Sequence, residues 1–382
     1  MALHAQPGLD SFAAAGGDPL ALSREGWGAL LQSWGWERFH GFQAFRALHR
    51  RHLASWDEAR EVPRRLREQL ENRLPIIWPV IDERFISGDG TVRSLLRLKD
   101  GEHVEAVFLP DEVFEGPAGL KRRRTTLCIS SQAGCPVNCQ FCLTALLGLR
   151  RNLGAGEIAG QVLTLVHEHG LRRGTGPCDR LNVVYMGMGE PMLNYEAVMQ
   201  SVRLLCDDEG LALPPRRVTI STAGIVEKIR RFGTEPVRPR LAISLNASSE
   251  DQRQALMPIH RGQGGFAALL AAAREFPLAK RERLTFEYVL LAGINDTDAD
   301  AGRLLQLLQG IRAKVNLIPW NQGPELSWQT PSPERVQGFQ ARLLAGGLPA
   351  FVRRPRGLDV FAACGQLSRR RAGAYTINMQ SP

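Results

Sequence analysis

Three cysteines lie close together in the chain, at Cys135, Cys139 and Cys142, with the spacing C-x3-C-x2-C. We find no fourth Cys or His at a suitable short distance from them. A structural zinc ion takes four protein ligands, and so does an iron–sulfur cluster that is held by protein alone. Three thiolates leave one iron of a [4Fe-4S] cluster open to an external ligand. S-Adenosylmethionine (SAM) can chelate such an iron through its amino and carboxylate groups and can then be cleaved to a radical.

Spacing alone leaves two other interpretations of these cysteines open. They could be a degraded zinc knuckle or a group of buried thiols, because C-x2-C runs recur in many metal sites. Metal analysis separates a zinc protein from a cluster enzyme, with one zinc expected against about four irons and four sulfides.

A glycine-rich turn supplies a second candidate site, in the run Met186-Gly-Met-Gly189-Glu190-Pro191. Glycine lets the backbone approach a ligand closely. The carboxylate of Glu190 could accept a hydrogen bond from an ammonium group such as the methionyl amine of SAM. The alternative interpretation is a tight turn that is capped by the glutamate.

Two further cysteines have surroundings that suit chemistry. Cys128 lies seven residues before Cys135, and Cys364 is followed by glycine in a stretch of small residues near the C-terminus. A cysteine in such a turn could be an exposed nucleophile, although most cysteines are buried and inert. Cys178 and Cys206 have no such setting, and we assign them structural roles.

Composition narrows the class of protein. The 382 residues leave room for roughly two domains, and a net charge of +9 favours a polyanionic partner, nucleic acid before an anionic membrane. No apolar stretch approaches the ~18 residues of a transmembrane helix, and the N-terminus lacks the pattern of a secretory signal. The seven cysteines, an odd and clustered set, indicate metal or redox chemistry in a reducing compartment and argue against a disulfide scaffold. We therefore expect the cytoplasm.

The chain divides into five predicted parts. Residues 1–22 are a loose start, residues 23–80 a small α-helical module and candidate RNA-binding element, and residues 81–120 a β appendage or linker. Residues 121–354 form the core, and residues 355–382 are a C-terminal segment with a candidate reactive cysteine. Aromatic residues recur at helical spacing in the helical module, and we expect them in its core and not as a platform for stacked bases.

The core alternates strand-like and amphipathic runs, which predicts an α/β fold of six βα units and a closing strand. Such connections build a parallel sheet, here a partial or a complete barrel. The predicted strands are 125–130, 181–186, 217–221, 240–245, 284–291, 314–319 and 350–353, and the predicted helices are 157–169, 195–206, 225–232, 266–276, 298–311 and 333–344. Polar residues gather at the C-terminal ends of several strands, where barrel folds of this type have their active sites.

Several runs of residues match one known family in order along the chain. They include Thr126-Leu-Cys128-Ile-Ser-Ser-Gln, Cys139-Gln-Phe-Cys142, Gly187-Met-Gly-Glu190-Pro, Val315-Asn-Leu-Ile-Pro-Trp-Asn321 and Ala363-Cys364-Gly-Gln-Leu. From about Phe42 to Leu367 the sequence resembles the RlmN/Cfr family of radical SAM methyltransferases, which act on adenosine in large-subunit ribosomal RNA, and some also on tRNA. The resemblance implies a radical SAM (βα)6 partial-barrel core.

The resemblance also implies a mechanism for methylating an amidine-type carbon of adenine, which is not a nucleophile. One SAM methylates Cys364. A second SAM, bound at the cluster, is cleaved to a 5′-deoxyadenosyl radical that takes a hydrogen from the S-methyl group, and the carbon radical adds to the base. Cys128 then attacks the sulfur of Cys364, which forms a transient disulfide and releases the product, and Glu105 removes the ring proton.

Ligands and partners are implied in the same way. Three residues would hold one [4Fe-4S] cluster: Cys135, Cys139 and Cys142. Contacts to SAM would be made by Gly189, Glu190, Ser221, Ser244, Leu245, Asn246 and Asn321. The family usually has His at position 246, and residues 143–148 are less polar here than in the enzymes that act on C2. The partners would be RNA and an electron donor such as flavodoxin or ferredoxin. The enzyme would not bind a membrane and would be a monomer.

Basic clusters agree with an RNA partner, although each alone could be a solvated surface. They are residues 121–124, 150–151, 353–356 and 369–371. We therefore predict an RNA methyltransferase that modifies an adenine carbon, C2 before C8. Two other hypotheses are a radical SAM enzyme that acts on a peptide or small molecule and a non-catalytic, metal-binding RNA-binding protein.

Overall fold

The computed structural model describes residues 17–110, 113–115, 121–171, 180–322 and 325–368. Within these residues the strands form one large sheet and one small hairpin. In chain order these are β1 (Val80–Ile86), β2 (Val92–Arg97), β3 (His103–Leu109), β4 (Val113–Glu115), β5 (Lys121–Cys128), β6 (Gln132–Gly134), β7 (Leu149–Asn152), β8 (Arg180–Tyr185), β9 (Val218–Thr222), β10 (Arg240–Ser244), β11 (Leu284–Leu290), β12 (Ala313–Pro319) and β13 (Ala350–Val352).

Seven parallel strands form the centre of the large sheet, in the order β5-β8-β9-β10-β11-β12-β13. They confirm the seven strands that the sequence predicts, with small differences at the ends. The path of paired strands runs from β1 to β13, and no pairing within the described residues closes it. The core is therefore a partial barrel and not a complete one.

The β appendage is continuous with this sheet. Strands β1, β2 and β3 are antiparallel, and β3 pairs with β5, where Val107 lies opposite Cys128. The prediction of a separate appendage over residues 81–120 is wrong in this respect. Short strands with turn residues between them indicate a hairpin, but they do not indicate which edge it joins.

Helices cover the outside of the parallel sheet. In chain order they are α1 (Arg24–Ser33), α2 (Arg38–His49), α3 (Arg64–Arg73), α4 (Ala155–Glu168), α5 (Tyr195–Cys206), α6 (Val226–Gly233), α7 (Glu250–Leu256), α8 (Gly265–Glu275), α9 (Asp298–Leu307) and α10 (Pro333–Ala345). Six of them confirm the predicted helices of the core. Side-chain caps from Ser23, Thr297 and Ser332 fix the starts of α1, α9 and α10.

The N-terminal helices α1, α2 and α3 share the main hydrophobic core with the sheet. Trp27 and Trp56 are fully buried, with their rings 5.6 Å apart in an edge-to-face arrangement, and Phe45 is also buried. These aromatics are core residues, as predicted. Residues 1–16 lie outside the described part of the chain, but Leu20 and Leu22 are buried, so the prediction of a loose start is wrong for residues 17–22.

The sequence did not predict α7 or the two-stranded sheet of β6 and β7. Both are short, and periodicity over so few residues carries little signal. Cys206 is half-buried at the end of α5, whereas Cys178 and residues 369–371 lie outside the described residues. No helix within the described residues is both long enough and apolar enough to cross a membrane.

Candidate active site

A cavity of about 170 Å³ lies at the C-terminal ends of the parallel strands. Its lining includes most of the predicted site residues, namely Cys135, Cys139, Cys142, Gly189, Glu190, Ser221, Ser244, Asn246, Asn321 and Cys364. The lining does not include Leu245, Cys128 or Glu105. The structure thus brings together residues that are as much as 229 positions apart in the sequence.

The cysteine loop after β5 is held in place by two tryptophans from a later part of the chain. The indole N–H of Trp320 donates to the carbonyl of Phe141 at 3.0 Å, and that of Trp328 donates to the carbonyl of Gln140 at 2.8 Å. Asn138 has a positive φ of 56°, a conformation that Asn tolerates better than most residues. These contacts fix the loop that presents the three cysteines.

The three cysteines form a donor set that fits an iron–sulfur cluster. Burial raises the pKa of Cys135 to about 12 and raises the pKa of Cys139 and Cys142 as well. A thiol with a raised pKa stays protonated at neutral pH and loses its proton when it binds a metal. No three His, Cys, Asp or Glu side chains in the described residues are arranged around one ion.

The glycine-rich turn after β8 buries the carboxylate of Glu190. Its two oxygens accept from the backbone N–H of Met192 at 3.0 Å and of Ala223 at 2.6 Å. Burial raises the pKa of Glu190 to about 7. Gly189 has φ +101°, and a β-carbon there would lie 2.6 Å from the side chain of Gln132, so this position requires glycine.

Three polar residues at the ends of β9 and β10 line the same cavity. The hydroxyls of Ser221 and Ser244 lie 3.5 Å apart. Asn246 has φ +58°, and its side-chain oxygen accepts from the N–H of Val289 at 2.9 Å. Leu245 is fully buried and does not line the cavity. An amide side chain therefore fits the position where the family usually has His.

The segment that carries Cys364 is attached directly to the cysteine loop. The N–H of Leu143 donates to the carbonyl of Gly365 at 2.8 Å, and the hydroxyl of Thr144 donates to the carbonyl of Leu367 at 2.7 Å. The amide of Asn321 donates to the carbonyl of Cys364 at 3.4 Å. These bonds hold Cys364 at the cavity next to the three clustered cysteines.

Cys128 and Cys364 are free thiols in neighbouring positions. Burial raises the pKa of Cys128 to about 12, and the charge of Cys364 contributes to the rise. Cys364 is exposed as a residue, yet the protein around its sulfur raises the pKa of this thiol too, and Arg353 opposes the rise. Cys364 therefore lies close enough to Cys128 to affect the pKa of the Cys128 thiol.

Glu105 lies on β3 and is completely buried. It forms an ion pair with Arg93, and its second oxygen accepts from the N–H of Ser368 at 2.9 Å. Arg93 also donates to the carbonyl of Val360 at 2.7 Å. The structure places Glu105 against the C-terminal segment and outside the cavity lining, so substrate would reach it only after this segment shifts.

Sequence reasoning missed three charged residues at this site. Glu287 and Arg353 line the cavity, and Arg253 is buried beside it. Asn316 donates to Glu287 at 2.8 Å, and burial raises the pKa of this carboxyl. The alternation of residues along β11 was the signal that could have found Glu287. A buried arginine in a short helix such as α7 has no comparable signal.

Replacing Arg253 with methionine should lower the free energy of unfolding by about 3 kcal/mol. Arg253 donates to the carbonyls of Ser244, Leu245 and Ala223, and these groups would lose a buried donor. Chemical denaturation of the protein measures the effect. Arg274→Met, at an exposed position on α8, is the control and should change stability by less than about 0.5 kcal/mol. Equal stabilities of the two variants would contradict this role of Arg253.

Comparisons with known proteins agree with the geometry of the site. The model of the Radical SAM superfamily matches residues 129–305. A probable dual-specificity RNA methyltransferase RlmN of Koribacter versatilis (strain Ellin345) is 47% identical over 345 residues, which cover 89% of this chain and 98% of that protein. The dual-specificity RNA methyltransferase RlmN of Anaeromyxobacter dehalogenans (strain 2CP-C) is 43% identical over 372 residues, covering 94% and 95%. The crystal structure of a radical SAM methyltransferase from Sphaerobacter thermophilus has a TM-score of 0.84 at 39% identity and covers 92% of this chain and 99% of that one.

Proposed function

Since the chain belongs to the RlmN family of radical SAM RNA methyltransferases, we propose that it methylates C2 of an adenine in large-subunit ribosomal RNA, with tRNA as a second substrate. One observation carries the proposal. Cys364 opens onto the same cavity as Cys135, Cys139 and Cys142. A methyl group on Cys364 would therefore lie beside the place where SAM is cleaved.

The cofactors of this proposal are one [4Fe-4S] cluster and SAM. Cys135, Cys139 and Cys142 would hold the cluster. When both are bound, they would supply the reductive cleavage of SAM to a radical that abstracts hydrogen. The two tryptophan-held carbonyls described above keep the cysteine loop in place.

The chain's own residues perform the remaining steps. The sulfur of Cys364 accepts a methyl group from one SAM, and the methylene radical left after hydrogen abstraction bonds to adenine C2. Glu105 accepts the C2 proton, and the one unpaired electron of the adduct would pass to the oxidised cluster. Cys128 attacks the sulfur of Cys364, so that the sulfur–carbon bond breaks with its electron pair on carbon, which is protonated to methyl, and a disulfide forms. The closeness of Cys128 and Cys364 supports this exchange.

SAM binds at the strand ends in this proposal. The carboxylate of Glu190 accepts a hydrogen bond from an N–H of the methionyl amine, and Gly189 lets the backbone approach it. Ser221, Ser244 and Asn321 supply hydroxyl and amide groups for the rest of the molecule. Backbone and side chain at Leu245 and Asn246 complete the site.

The affinity for SAM should fall about tenfold between pH 8 and pH 6. Burial raises the pKa of Glu190 to about 7, so the carboxylate that accepts from the methionyl amine is mostly ionised at the higher pH and mostly protonated at the lower. Titration calorimetry on the oxidised, cluster-loaded enzyme measures the affinity without cleaving SAM. Ser221→Ala should keep this pH dependence, and Glu190→Gln should remove it. A Glu190→Gln variant that retains it would rule out this role.

Other parts of the proposal concern partners and organisation. An electron donor such as flavodoxin or ferredoxin reduces the cluster, and the enzyme is a monomer in the cytoplasm with its RNA. The helical module of residues 23–80 is a candidate RNA-binding element. The second candidate target is adenine C8. Residues 143–148 are less polar here than in the enzymes that act on C2, and Leu143 and Thr144 of this segment donate hydrogen bonds to the backbone around Cys364.

The test of the proposed function uses anaerobically reconstituted enzyme, SAM, a reductant and large-subunit ribosomal RNA that lacks the modification. Mass spectrometry of the digested nucleosides should show one added methyl on adenosine, at C2 by comparison with synthetic standards. A methyl at C8 would establish the second candidate. Unmodified ribosomal RNA and tRNA, together with formation of 5′-deoxyadenosine, would show a radical SAM enzyme with another substrate.

A further inference from the structure

Two adjoining cavities lie at the end of the sheet opposite the active site. Their volumes are about 830 and 510 Å³, and residues 281–283 line both. Arg240 begins β10, while residues 281–283 and Arg312 lie just before the starts of β11 and β12. Because these strands are five to seven residues long, the two ends of the sheet are about 17–23 Å apart.

The lining of these two cavities is strongly basic. Its eight cationic side chains are Arg216, Arg238, Arg240, Lys280, Arg281, Arg283, Arg312 and Lys314. Glu282 is the single carboxylate among the lining residues. The surplus of seven positive charges compares with a net charge of +9 for the whole chain. Most of the basic surplus of this protein is thus concentrated away from the reacting cysteines.

Internal contacts account for only part of this charge. Arg238 pairs with Glu282 at 2.7 Å, and Arg283 and Arg312 donate to backbone carbonyls. Among the described residues, no salt bridge involves Arg216, Arg240, Lys280 or Arg281. These four side chains are the ones available to an external anion.

Lys314 lies close to other cations. Burial lowers the pKa of Lys314, and the neighbouring Arg240 lowers it further, whereas Glu287 acts in the opposite direction. On the surface of a folded protein, like charges are normally separated or paired with opposite charges, because close unpaired cations repel one another. A bound polyanion would offset this repulsion.

We propose that these two cavities form a second RNA-contact surface, which binds backbone phosphates of the substrate at a distance from the target adenosine. This inference rests on the proposed function, because it takes RNA as the substrate. Six of the eight cations are arginines, whose planar fork matches phosphate oxygens. An RNA large enough to reach both ends of the sheet would be held there while one base enters the active site.

An acidic electron-donor protein fits this surface less well. A donor must approach the cluster, and the cysteine loop lies at the other end of the strands. Binding a protein 17–23 Å away, about the length of the strands, would not bring it to the irons. Contacts to the RNA backbone need no such approach, since phosphates position a substrate without taking part in its chemistry.

The test neutralises three exposed cations at once, in the variant Arg216→Gln/Lys280→Gln/Arg281→Gln. Loss of three phosphate contacts should weaken binding of protein-free large-subunit ribosomal RNA by 10- to 100-fold at low salt. The slope of log affinity against log salt should fall by about two to three, at about 0.7–0.9 per contact. Single-turnover methylation of a stem-loop of about 20 nucleotides should be unchanged.

The matched control removes the same charge elsewhere, in Arg230→Gln/Arg335→Gln/Arg342→Gln, whose arginines pair with Glu275 or Asp298. This control should bind the long RNA like the wild type. Equal affinity and salt slope in the two triple variants would overturn the proposal. The proposal would also be overturned if the variant Arg216→Gln/Lys280→Gln/Arg281→Gln bound RNA normally and turned over with a chemical reductant but not with an electron-donor protein. Failure of the wild type to methylate any RNA would instead disprove the proposed function.

Discussion

Replacing Cys364 with alanine should abolish transfer of the SAM methyl group to the protein and with it all methylation of RNA. The amidine carbon of adenine is not a nucleophile, so SAM cannot methylate it directly, and the reaction needs a sulfur that carries the carbon first. Cys364 is the cysteine outside the clustered three that lines the cavity. The loss should exceed about 10³-fold, as expected when a covalent nucleophile is removed.

Two measurements separate this role from a structural one. Label from methyl-labelled SAM, followed in acid-precipitated protein, reports methylation of Cys364, and iron and sulfide analysis reports whether the cluster is intact. Cys206→Ala is the matched control, because Cys206 lies at the end of α5 and outside the cavity lining. Label that persists on a Cys364→Ala protein would place the methyl acceptor elsewhere.

Replacing Cys128 with alanine should instead trap the enzyme on its RNA. In the proposed mechanism the bond from the sulfur of Cys364 to the methylene carbon breaks only when a second sulfur attacks that sulfur, and the carbon stays on adenine. Cys128 is the neighbouring free thiol, at the end of β5. We expect stoichiometric accumulation of a covalent protein–RNA adduct and a loss of released product of at least about 10²-fold.

A denaturing gel with end-labelled RNA detects this adduct as a band of reduced mobility. The double variant Cys128→Ala/Cys364→Ala should give no such band, because the carbon carrier is absent. Release of methylated RNA at the wild-type rate by Cys128→Ala alone would show that another group resolves the adduct.

Much of the parallel sheet could be predicted from sequence for a simple physical reason. Several strands of this sheet read as short runs of β-branched and apolar residues, as in Val218–Thr222, and amphipathic helices lie between successive predicted strands. The order of the strands follows from the short right-handed connections. The joining of β3 to β5 could not be predicted, because either edge of a hairpin has the same free N–H and C=O groups.

The candidate site divides in the same way. Cysteine spacing and the glycine-rich turn are local patterns, so the three clustered cysteines and Glu190 were accessible to sequence reasoning. The contact of Glu105 with the C-terminal segment was not, because Ser368, whose N–H donates to it, lies 263 residues away in the sequence. The basic surface at the far end was also missed. Lys280-Arg281-Glu282-Arg283 is a charged run, but Arg216, Arg240 and Arg312 lie far from it in the sequence, and only the fold brings them together.

The measurement that tests the central claim most directly uses SAM with a trideuterated methyl group in a reaction with unmodified ribosomal RNA. If the carbon passes through the S-methyl group of Cys364 and loses one hydrogen there, the methyl on adenine should retain two of its three deuterium atoms, and 5′-deoxyadenosine should gain one. Retention of all three on adenine, with no deuterium in 5′-deoxyadenosine, would contradict the account, because the methyl group would then have moved intact.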